Sequence, residues 1–423
     1  MIDTINYGEL NEVMQHTVLE NGLNIYVFPK KGYHKYFAMY AADYGSVDSH
    51  FSIDGKEYKM PAGIAHFLEH KMFEQKDQNA LQKFAATGAS PNAFTSQTMT
   101  AYHFECTDEF EKNLRILLTF VTDPYFTDEN IEKEQGIIGQ EIAMMDDEPS
   151  WIADIGMFES LYQNHPIRES IAGSKQSIAK INREMLTLCH ETFYHPSNMA
   201  LCIAGDVDIK SVRNIAEEIT VKKPFSHKVE RHYGEEPEKT GPSSKKQIMQ
   251  VSMPIFMLGF KDDDFANGSE RFRRTLVADL AAQYLFGPSS ELFLKLYGEN
   301  ILNRDFEAGY ESFPNGGVLI AGGESKDPEM VLRETMLKVS EIESRGIDQE
   351  LFERLKKSSI GMHMRVLDSF DELCRQQICA HFYGDQFVNF LKIYDNICAN
   401  DVLWFIMNTI RLKNSAISVV APK

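Results

Sequence analysis

The first clear strand-like patterns lie at 22–30 (GLNIYVFPK) and 36–48 (YFAMYAADYGSVD), where aromatic and β-branched residues cluster. Residues 49–62, with Gly55 and Pro61, read as a loop. The period then lengthens. A helix is predicted from Gly63 through IAHFLEHKMF, and a second over 77–87, with Asp77 as cap and Gly88 as stop. NAFTSQTMTAYHFEC (92–106) returns to β character. Helices follow over 107–122 and 127–146. In the second of these Thr127 caps, Asp128 and Glu129 suit the positive first turn, and Pro149 lies just beyond the end. After a helix–turn region to about 195, MALCIAGDVD (199–208) reads as an apolar strand and 211–219 as a short helix.

Residues 222–247 break this order, being charged and rich in Pro, Gly and Ser, as in a linker. Beyond them QIMQVSMPIFMLGF restarts a β-then-helix succession. Helical patterns recur near 269–286, 289–297, 327–345 and 348–366, and strands at 317–325 and 416–423. This order predicts an α+β fold of two related domains, 1–221 and 248–423, each a mainly antiparallel sheet backed by helices.

Composition narrows the function more than the fold. Of 423 residues 43% are hydrophobic and 25% charged, enough to bury sizeable cores. The net charge of −19 leaves no basic footprint for nucleic acid or an anionic membrane. Acidic residues interrupt the N-terminal stretch, so no secretory leader is expected there, and no apolar run reaches the length of a membrane span. The six cysteines (106, 189, 202, 374, 379 and 398) form no C-x-x-C pair, and buried free thiols in a cytoplasmic protein are expected.

Candidate chemistry concentrates in His66-Phe67-Leu68-Glu69-His70. On a helix, residues four apart share a face, so two imidazoles can reach one zinc ion while Glu69 stays free to take a proton from water. A catalytic zinc site takes three protein ligands, so a third must come from elsewhere. The 127–146 helix offers Glu134 and Glu141, two turns apart on one face; Glu141 suits the ligand role and Glu134 the steering of a histidine. Taken singly each feature has a bland explanation, a polar pair on a buried helix or a solvated glutamate face. His103, His190 and His195 lack ligand spacing and read as structural.

The HFLEH motif, the glutamate pair seven residues apart, the N-A-x-T segment and FYHPSNMALCIAGDVD together resemble the pitrilysin/insulinase family of inverted-motif zinc peptidases. The likeness is strong over residues 20–215 and weaker beyond. It implies an endopeptidase with one zinc ion per chain on His66, His70 and Glu141, with Glu69 as general base and Glu134 as the supporting glutamate. It also implies a strand edge at Asn92, Ala93 and Phe94 that pairs with an extended peptide. Each chain would form half of a clamshell chamber. One departure stands out. Active members carry an Arg and a Tyr seven residues apart, whereas here Tyr297 stands at the Arg position and Arg304 follows seven later. Among two-chain members, this pattern resembles the zinc-bearing chain of the bacterial processing-peptidase-like group, whose partner supplies the Arg and Tyr. A homologous partner or a second copy is therefore expected. The competing expectation is a non-catalytic or peptide-binding subunit.

Overall fold

The structure is a computed structural model that describes all residues except 1, 9, 222–225 and 239–240. Its strands are β1 (Ile2–Tyr7), β2 (Glu12–Val18), β3 (Asn24–Pro29), β4 (Tyr36–Ala42), β5 (His50–Ile53), β6 (Lys56–Lys59), β7 (Ser90–Thr95), β8 (Thr100–Cys106), β9 (Met199–Gly205), β10 (Val229–Arg231), β11 (Ser243–Met249), β12 (Ile255–Lys261), β13 (Glu307–Phe313), β14 (Gly316–Glu324) and β15 (Ser415–Pro422). The first sheet runs β1-β2-β3-β9-β4-β8-β7 and the second β11-β15-β12-β14-β13, while β10-β5-β6 form a small third sheet.

The two large sheets repeat one plan. In each a single parallel pair, β3 with β9 and β11 with β15, is followed by three antiparallel strands. The edge strand β7 thus corresponds to β13. The helix Ile64–Met72, which packs on β7, corresponds to the helix Glu270–Phe286, which packs on β13. The fold is α+β with two related halves.

The halves share a core because both faces of the first sheet are apolar. Along β4, Ala38, Tyr40 and Ala42 face the helices of the first half, while Phe37, Met39 and Ala41 join the core of the second. The helix Phe370–Phe382 covers β4 and β9 from that side, and in return Pro149–Leu161 lies across β11, β12 and β15. The contact is close: a Cβ on Gly156 would stand 2.4 Å from Ser418 Oγ, and one on Gly259 2.4 Å from Met157 Sδ.

Several expectations change on inspection. Ile2–Tyr7 and Glu12–Val18 pair as the antiparallel strands β1 and β2, whose sparse apolar positions gave little signal. The expected loop 49–62 holds the hairpin β5–β6, turned at Asp54 (φ 49°) and Gly55 (φ 85°), the pair of positive angles a two-residue hairpin requires. The β segment 92–106 is a hairpin tail interrupted at 96–99. The second helix starts at Ala80 with Asn79, not Asp77, accepting from Leu81 N at 2.9 Å. The helix Phe370–Phe382 was missed because Cys374 and Gln377 occupy part of its buried face. Within the expected linker, 229–231 pairs with β5 and 243–247, the first part of β11, with β15, while residues 222–225 and 239–240 lie outside the described residues. Four of the six free cysteines are buried, but Cys398 is exposed at the start of the helix Ala399–Thr409.

Candidate metal centre

The motif helix is fixed at its first residue. Gly63 has φ 91°, and a Cβ there would lie 2.4 Å from the carbonyl oxygen of Ala172; reciprocally, one on Gly173 would lie 2.3 Å from that of Ala62. Two backbone segments therefore touch at glycine, and the helix leaves this contact with Ile64, Phe67, Leu68 and Met72 buried. The opposite side carries His66 and His70, whose ring centroids are 4.6 Å apart.

The helix Asp128–Asp146 runs beside it and delivers both glutamates. Glu141 Oε1 lies 3.6 Å from His66 Nε2, and its Oε2 lies 3.6 Å from His70 Nε2. These separations are too long for hydrogen bonds. They are close to the roughly 3.4 Å expected between two donors that share a tetrahedral zinc at about 2.0–2.1 Å. One ligand atom from each of His66, His70 and Glu141 falls within 4.8 Å of the others. The donor set and its spacing fit zinc.

Around this triad the polar contacts are specific. Glu134, 6% exposed, bonds His70 Nδ1 at 3.0 Å, which turns Nε2 toward Glu141. Its other oxygen lies 3.4 Å from Nζ of Lys71, a fully buried lysine that also bonds Glu74 at 2.6 Å. Burial alone would raise the Glu134 carboxyl, but the bond to His70 and the charge of Lys71 outweigh it and hold the carboxyl below its ordinary value. Burial pushes the Glu69 carboxyl up, opposed by a 2.7 Å bond from Thr95 Oγ1. Burial, with His70 alongside, depresses His66 to about 4, so its imidazole is neutral. The sequence assigns no role to Lys71 or Thr95, although Lys71 follows His70 directly and Thr95 closes the N-A-x-T segment.

Asn92, Ala93 and Phe94 lie on β7, which pairs with β8 on one side and has no partner strand on the other among the described residues. Thr95 ends the same strand, so this edge runs up to Glu69. His103 packs against Phe37, His190 bonds the carbonyl of Val121, and His195 caps Ser197, away from the triad. Tyr297 and Arg304 meet each other, Arg304 Nε donating to Tyr297 Oη at 3.3 Å.

Comparison with known proteins identifies the family. Residues 55–175 match the family described as insulinase (peptidase family M16), and 180–359 the M16 inactive domain. The zinc protease YmfH of Bacillus subtilis is 37% identical over the full length of both chains. The chain belongs to peptidase family M16. Its fold matches the crystal structure of an M16-like peptidase from Alicyclobacillus acidocaldarius with a TM-score of 0.93 at 35% identity, covering 100% of this chain and 99% of that one. Pitrilysin, at 17% identity and a TM-score of 0.77, shares the fold, and this chain spans 46% of it. The inactive-domain match covers most of the second half, whose only histidines are His363 and His381. No described element of that half repeats the His66–His70 arrangement.

Proposed function

We propose that this M16 chain is a zinc-dependent endopeptidase, with zinc on His66, His70 and Glu141 and with Glu69 as general base. The observation that carries this is the convergence of two imidazoles and a carboxylate at zinc spacing, with a second carboxylate, Glu69, directly before His70 on the same helix. Bound there, zinc supplies Lewis acidity to a peptide carbonyl and to water. Glu69 is positioned by Thr95 to accept and return a proton. Glu134 keeps His70 in the tautomer that leaves Nε2 free. The open edge of β7 at Asn92–Phe94 takes an extended peptide by main-chain pairing, which tolerates many side chains and suits unfolded polypeptides.

The reversed Tyr297–Arg304 pair favours completion of the site by a second chain of the family or a second copy, the two closing a chamber. The mostly buried free thiols support work in the cytoplasm. The test is hydrolysis of quenched-fluorescent peptides by the zinc-loaded chain, alone and with family members that carry the Arg and Tyr. Glu69→Gln should hold zinc and lose at least about a hundredfold in rate. Equal rates for wild type and Glu69→Gln would remove Glu69 from its role. Zinc bound at the triad with no hydrolysis in any pairing would overturn the peptidase reading in favour of a peptide-binding subunit.

A further inference from the structure

The small sheet, whose hairpin β5–β6 precedes the motif helix in the chain, carries a second set of donors. Its register sorts side chains by face. Phe51, Ile53, Tyr58 and Val229 pack on the first-half core, while His50, Ser52, Glu57, Lys59, Glu230 and His232 share the outer face. On that face His50 Nε2 lies 3.6 Å from Glu57 Oε2, the spacing already seen between each motif histidine and Glu141. The His50 and His232 rings are 4.8 Å apart. One ligand atom from each of His50, Glu57 and His232 falls within 4.8 Å of the others, and among the described residues only this set and the motif triad do so. His50 Nε2 is buried and lacks a hydrogen-bond partner, so only the longer approach of Glu57 offsets its lost hydration.

We propose that His50, Glu57 and His232 form a second divalent-metal site of the zinc class, distinct from the motif site. Two imidazoles and one carboxylate suit zinc or cobalt, whereas calcium and magnesium prefer all-oxygen shells. The site joins strands far apart in sequence: β5 and β6 precede the motif helix, and β10 leads toward the second half. Met60, directly after β6, bonds Ser49 at 2.7 Å, and the motif helix begins four residues later at Ile64. An ion here pins the connection between the halves to the hairpin that feeds the motif helix, a structural staple of the kind metals supply by binding only the folded chain.

The test counts zinc by elemental mass spectrometry on full-length chain, stripped of metal and dialysed against micromolar Zn2+. Two ions per chain are expected for the wild type, and one each for His66→Ala/His70→Ala and for His50→Asn/His232→Asn. The combined variant should hold none. A folded His66→Ala/His70→Ala chain with no zinc overturns the proposal, as does a combined variant that keeps the ion. Loss of all zinc from His50→Asn/His232→Asn would instead count against the motif site, so the two assignments fail separately. Should His50→Asn/His232→Asn not fold, Glu57→Gln replaces it, because Glu57 is exposed and its loss leaves the sheet intact. In the His66→Ala/His70→Ala background, Co2+ should give the visible band of a four-coordinate site, weakened at least tenfold in affinity by Glu57→Gln; an unchanged titration overturns the assignment.

Discussion

At the scale of single residues, the motif site depends on two contacts that a ligand set alone does not show. Thr95 donates a 2.7 Å bond to the carboxylate of Glu69. Thr95→Val keeps the shape and removes the donor. A hydrogen bond to a charged group contributes about 1.5–3 kcal/mol, so kcat/KM should fall about ten- to a hundredfold with zinc content unchanged. Glu134 acts on the metal side, between His70 and Lys71. Glu134→Gln should weaken zinc about 10–100-fold in a chelator competition, since partners of this kind set the tautomer and basicity of the ligand. If both variants lost zinc equally, Thr95 would be supporting the fold rather than Glu69. That His66, His70 and Glu141 would converge was legible in the sequence because i, i+4 histidines and i, i+7 glutamates are placed by helix geometry. Thr95 and Lys71 were not. A strand hydroxyl finds its carboxylate only after β7 has docked on the motif helix, and a lysine next to a histidine ordinarily reads as surface.

At the scale of elements, the patterns showed most helices of the first half and four of the second, and failed mainly where an element is held by its neighbours. The hairpin β1–β2 and strand β10 have few apolar positions and exist through pairing. The hairpin β5–β6 carried its signal in Asp54-Gly55 and was obscured by the charged residues around it. The position of the motif helix rests on the crossing of 62–63 with 172–173, where glycine is required twice. Gly63→Ala adds a Cβ 2.4 Å from a backbone oxygen and places alanine at φ 91°. The expected cost is at least about 2 kcal/mol, from backbone strain and overpacking together. Denaturant unfolding should show that loss, together with weaker zinc binding, because the same shift moves His66. An unchanged midpoint would mean that the 172–173 segment yields freely.

At the scale of the whole molecule, the second half and its contact with the helix Pro149–Leu161 carry half-buried acids as well as apolar residues. Glu311 on β13 is pushed up to about 7 by burial and by Asp154 on the helix that crosses the second sheet, and Asp154 is itself raised to about 6 by burial. Asp279 on the helix Glu270–Phe286 is raised to about 7 by burial, although the backbone N–H of Tyr310 opposes it. In the unfolded chain such groups titrate near pH 4. The folded state thus binds more protons than the unfolded state between about pH 4 and pH 7, and stability must fall with rising pH across that window. The contribution is complete below pH 4 and lost as pH passes 7. Replacing the two highest groups by their neutral isosteres, Asp279→Asn with Glu311→Gln, removes this term. The melting temperature of the double variant should therefore drop less between pH 5 and pH 8 than that of the wild type, and the variant should be the more stable of the two at pH 8. Parallel curves would mean that water reaches these carboxyls in the folded protein well enough to leave their titration near that of the unfolded chain.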